Sequence, residues 1–123
     1  MTQPLALVVY EKLLPGTQLV NRLQDLGYRV QSVGDASTLC EVAEHTGPLI
    51  VFADLDSNRH GLLEIIDRLR KSPATQHLPV IAFGPEDREG LQDAARAVGV
   101  TLFASQAALT NHLPELLEQA LQI

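Results

Sequence analysis

Residues 49–61 read LIVFADLDSNRHG, and the reading of this stretch decides the fold. Five apolar residues, Leu49, Ile50, Val51, Phe52 and Ala53, stop at Asp54. Asp56, Ser57, Asn58, Arg59 and His60 follow, and Gly61 opens a new apolar periodicity. An unbroken apolar run of this length predicts a strand buried on both faces, the kind found in parallel sheets. In open α/β sheets, ligands and chemistry gather beyond the carboxyl ends of the strands. Asp54 stands at such an end.

Upstream, Leu5 to Val9 is a second apolar run, ending at Tyr10 and Glu11. Pro15-Gly16 marks the start of a helix, since proline is tolerated in a first turn. Leu19, Val20, Leu23 and Leu26 recur at helical spacing, and Gly27 is placed to cap the helix. Tyr28 to Val33 alternates, as a short strand near a sheet edge does. Asp35 or Ser37 caps a helix that turns Leu39, Val42 and Ala43 inward and stops at Gly47-Pro48.

Downstream, Leu62, Ile65, Ile66 and Leu69 form one helical face, ended by Ser72-Pro73. Leu78 to Phe83 is an apolar strand with Pro79 at its start, broken by Gly84-Pro85. Leu91, Ala94, Ala95 and Val98 are the inner face of a further helix, and Gly99 ends it. Val100 to Ala104 reads as the fifth strand and Ser105 to Thr110 as a connection. A last helix begins near Thr110 or Asn111, with Pro114 in its first turn. Five strands alternating with five helices predict a single α/β domain over residues 1–123. Its architecture is a doubly wound five-stranded parallel sheet in the order 2-1-3-4-5, because crossovers are right-handed and helical.

Composition narrows the function classes. Apolar content is 46%, with no run long enough to span a membrane. The segment MTQPLALVVYEK has neither a basic leader nor a long apolar core, so no signal peptide is expected. The single Cys40 excludes an internal disulfide and suits a reducing, cytoplasmic setting. A net charge of −6 argues against direct nucleic-acid binding, which needs a basic face. The one basic cluster, Arg68, Arg70 and Lys71, ends a helix, where cations complement the dipole.

The predicted strand order brings Glu11, Asp54 and Asp56 toward one edge. Clustered carboxylates repel, so one takes up a proton or the group holds a cation. Hard oxygen ligands suit Mg²⁺, and a carboxylate held this way can accept a phosphoryl group as nucleophile. Spacing alone leaves a second reading open, in which Asp54 only caps a loop. His45, His60, His77 and His112 have no metal-ligand spacing. Cys40 sits mid-helix and reads as a packing residue rather than a nucleophile. No GxGxxG, P-loop or GxSxG motif is present.

The chain resembles a response-regulator receiver domain along essentially its whole length. The match is carried by DLDSNRHGLLEIIDRLRKSPATQHLPVIAFG, residues 54–84, with GYRVQSVGDASTLCEVAE, residues 27–44, and DAARAVGV, residues 93–100, in support. The resemblance implies the flavodoxin-like (βα)5 fold and places the phosphoacceptor on Asp54. It places the Mg²⁺-holding acidic pair on Tyr10 and Glu11, the hydroxyl residue ending strand four on Gly84, and the lysine after strand five on Ser105 or Gln106. The aromatic of strand five is Phe103, which has no hydroxyl. A phosphoryl group needs its charge balanced; a lost lysine contact is worth about 1.5–3 kcal/mol. These departures imply an atypical or pseudo-receiver, with Glu11, Asp54 and Asp56 as a vestigial Mg²⁺ site.

The expected function is therefore a non-enzymatic signalling module acting through protein contacts, its partner a signalling protein such as a histidine kinase. The expected surface is helix four, strand five and helix five, with Arg88, Gln92, Arg96 and an exposed Phe103, open to homodimerisation. Two alternatives stand beside it. One is a working receiver that accepts a phosphoryl group on Asp54 with Mg²⁺. The other is a small flavodoxin-like enzyme or ligand binder, against which the missing glycine-rich loop counts.

Overall fold

The computed structural model of the chain describes residues 4–9, 13–33, 38–55, 62–84 and 90–121. Five strands, β1 (Leu5–Val9), β2 (Arg29–Val33), β3 (Ile50–Asp54), β4 (Val80–Gly84) and β5 (Leu102–Ser105), form one parallel sheet. Their order is β2-β1-β3-β4-β5, as the alternation of strand and helix patterns predicts. The helices are α1 (Leu13–Asp25), α2 (Leu39–Thr46), α3 (Leu62–Lys71), α4 (Leu91–Ala97), α5 (Gln106–Asn111) and α6 (Leu113–Leu121). No helix among the described residues is long and apolar enough to cross a membrane.

The sheet divides the core in two because strand side chains alternate between faces. Leu5, Leu7, Val9, Val51, Ala53, Val80 and Ala82 meet the buried faces of α2, α3 and α4 on one side. Ala6, Val8, Ile50, Phe52, Ile81 and Phe83 meet Leu19 and Leu23 of α1 and Leu109, Leu113, Leu117 and Ala120 of α5 and α6 on the other. The three central strands are buried along their whole length, whereas β2 exposes three of its five residues. That contrast follows from position, since β2 lies at the sheet edge.

Three sequence expectations need correction. Residues 106–111 are a helix, α5, rather than a connection. Ser105 adopts an extended backbone and its Oγ accepts the Ala108 N–H at 3.1 Å, which makes it the N-cap. Pro114 then marks a second start: it has no N–H with which to continue the α5 ladder, so the chain breaks at His112 and resumes as α6 with Pro114 in its first turn. Strand β5 begins two residues later than expected, because the Val100 N–H is spent on the Ala95 carbonyl in closing α4. Thr101 starts the pairing instead, donating its N–H to the Val80 carbonyl while its Oγ1 accepts the Val80 N–H. Strand β4 likewise begins at Val80, and includes Gly84. The expected caps Asp35 and Ser37 lie outside the described residues.

Two glycines have the backbone freedom their positions require. Gly47 ends α2 at φ 60°, in the left-handed region, with its N–H on the Ala43 carbonyl. Gly99 turns from α4 toward β5 at φ 88°, and the stem of Arg70 lies where a Cβ would be in contact. The Arg70 Nη1 donates to the Leu78 carbonyl at 2.6 Å, so one side chain joins the end of α3 to the turns before β4 and β5.

The topology gathers the basic residues, beside the acids Asp25, Glu44 and Glu118 that also stand in last turns. Helices run antiparallel to the strands, so helix C-termini gather at the amino edge of the sheet. Every arginine and lysine among the described residues lies there: Arg22, Arg68, Arg70, Lys71 and Arg96 in last turns, Arg29 at the first position of β2. Glu41, Glu64 and Asp93 occupy first turns, toward the carboxyl edge. Both placements complement the helix dipoles.

Candidate functional site

The carboxyl edge is built by strands ending in step. Val9 closes the β1 ladder opposite Ala53, Asp54 lies opposite Phe83, and Gly84 lies opposite Ser105. Asp54 is the last residue of β3 and only 1% exposed. It is one of two buried polar residues among those described; the other, Thr75, donates its hydroxyl to the Leu69 carbonyl at 2.7 Å inside a turn. The Asp54 Oδ2 accepts no hydrogen bond from a described residue, although the side chain has other interactions. A buried carboxylate at a strand end is a costly placement, of the kind that accompanies function.

Two neighbouring strand ends at this edge are described. Gly84 contributes no side chain. Ser105 stands one strand farther on, roughly 10 Å from β3 at ordinary strand spacing. Its hydroxyl is turned to the Ala108 N–H as the α5 cap. Residues 100–111 contain no arginine or lysine. Glu11 and Asp56, the other expected metal ligands, lie outside the described residues, as do Tyr10 and Arg88. Among the described residues no group of three His, Cys, Asp or Glu side chains could hold a metal ion. Of the expected Mg²⁺ ligands, Asp54 is the one that lies among the described residues.

On the other expected surface, Arg96 is exposed in the last turn of α4. Gln92 lies on the same helix, its side chain outside what is described. Phe103 is not the exposed aromatic that the sequence predicts. It is half-buried on β5 and packs against the core on the α2–α4 side. A strand at the sheet edge still shows one face to a helix layer, and Phe103 lies on that face. Cys40 is half-buried as well, with its Sγ 3.8 Å from the Ile65 carbonyl. Burial pushes its thiol up; Arg68 pulls the other way and Glu44 adds to the rise. This is the setting of a packing cysteine.

Sequence reasoning missed the capping role of Ser105. The signal was present as a serine directly before an alanine-containing, helix-forming run. It also missed a cleft at the opposite, amino edge, between the segments leading into β3 and β4.

No protein-family model matches the chain, and no curated protein does. Solved structures do. A candidate response regulator from Chloroflexus aurantiacus superposes with a TM-score of 0.88 at 16% identity, over 99% of this chain and 100% of the other. The chemotaxis protein CheY4 of Vibrio cholerae gives 0.84 at 18% identity, over 97% and 99%. The signal receiver domain of a modulated diguanylate cyclase from Desulfovibrio desulfuricans gives 0.79 at 23% identity, over 98% and 94%. At such identities the likeness speaks for architecture: the chain has the fold of response regulator receiver domains over nearly its whole length.

Proposed function

We propose that this chain is a signalling module of the receiver type that works by protein–protein contact, without a phosphoryl switch at Asp54. The observation that carries this reading is the capping bond from the Ala108 N–H to Ser105 Oγ. Ser105 stands at the end of β5, where the resemblance expects a lysine at Ser105 or Gln106, and its side chain serves the helix that follows. Gly84 supports the reading from the neighbouring strand, since it offers nothing to hydrogen-bond a phosphoryl oxygen. At the positions of Gly84 and Ser105 a phosphoryl group on Asp54 would not find the hydroxyl and the cation that balance its charge in such sites. Phe103, without a hydroxyl and held against the core, has no polar group to follow that charge inward.

The partner in this reading is a protein of a signalling pathway, such as a histidine kinase. The contact face combines α4, β5 and the outer side of α5 and α6, with Arg96 at its rim, and a second copy of the chain is one occupant. In this reading Asp54 keeps the placement of a phosphoacceptor at the end of β3, and Glu11 and Asp56 are its expected, vestigial Mg²⁺ partners.

The test uses Mg²⁺ with beryllofluoride or acetyl phosphate, followed by backbone amide shifts, with Asp54→Ala as control. The expected result is no saturable change that depends on Asp54. Saturable shifts around residue 54 that extend to Phe103 would overturn the proposal in favour of a working receiver with Mg²⁺. Sedimentation of the chain against an Arg96→Glu variant tests the homodimer: an unchanged dimer population, or no dimer at all, removes association through this face.

A further inference from the structure

We draw no further inference here: the strongest candidate, the apolar cleft at the amino edge of the sheet lined by Pro48, Leu49, His77, Leu78, Pro79 and Leu121, has acids as well as bases at the same edge, and nothing in the structure shows what covers it.

Discussion

Ser105 offers the sharpest test of why the carboxyl edge is built as it is. Its Oγ accepts the Ala108 N–H at 3.1 Å and so satisfies one of the N–H groups that the start of α5 leaves without a helical partner. Removing such a cap costs about 1 kcal/mol. For a domain of this length the unfolding entropy near 60 °C is roughly 0.26 kcal/mol/K, so Ser105→Ala should lower Tm by about 4 °C. Ser105→Lys should cost more. It loses the cap and also sets a cation against the positive end of the helix dipole, a further loss of about 0.3–1 kcal/mol. The expected fall is near 6 °C. Ser105→Asn keeps a side-chain acceptor and should leave Tm within about 1 °C of the parent. Thermal unfolding by circular dichroism, with urea midpoints as a second measure, reads all three. If Ser105→Lys were as stable as the parent, capping would not be what occupies this position, and the main support for a site without a phosphoryl switch would fall.

Ile66, fully buried in the α2–α4 layer, should cost about 2–5 kcal/mol as Ile66→Ala in urea unfolding, whereas the exposed Leu26→Ala should stay within about 0.5 kcal/mol. Gly99→Ala places a Cβ at φ 88° and should destabilise by about 1–2 kcal/mol, with the loss traced by strain at that residue rather than by the distant edge. The ion pair Lys71–Asp67 is 2.9 Å long but solvent-exposed, so Lys71→Ala should change stability by no more than about 0.5 kcal/mol. Cys40, its thiol pushed up by burial, should titrate at higher pH than a free cysteine when followed by thiolate absorbance. The sign is that of a group neutral when protonated: the folded form holds its proton longer, so this contribution is present below the free-thiol pKa and fades as pH rises through the folded value.

The fold was legible because its strongest signals are long-range consequences of local pattern. The runs 5–9 and 49–53 are apolar without alternation, and only a sheet covered on both faces by helices can use such strands. Glycines 27, 47 and 99 sit where the chain must turn with positive φ, and all three do. Element starts were less legible. The delay of β5 depends on where the Val100 N–H finds its acceptor, which is decided by the geometry of the α4 turn and not by the apolar character of Val100. The α5 helix was hidden for a related reason, since Ser105 reads equally as a loop residue until Ala108 is seen within reach of it. Of the candidate site, Asp54 was placed correctly at a strand end. Phe103 was misjudged because β5 is a sheet-edge strand by order, yet its face toward α4 is covered.

The layer that covers Phe52 and Phe83 comes from two distant parts of the chain. Helix α1 supplies Leu19 and Leu23, and α5 and α6 supply Leu109, Leu113, Leu117 and Ala120. The opposite layer needs only α2, α3 and α4, each beside the strands it serves in sequence. During synthesis, therefore, the α2–α4 side can close progressively, while the phenylalanine side stays open until residues 106–121 have emerged. At roughly 5–20 residues per second that interval lasts several seconds. It leaves a row of large apolar side chains in water, so truncation before α5 should yield a chain that aggregates rather than one that is merely less stable.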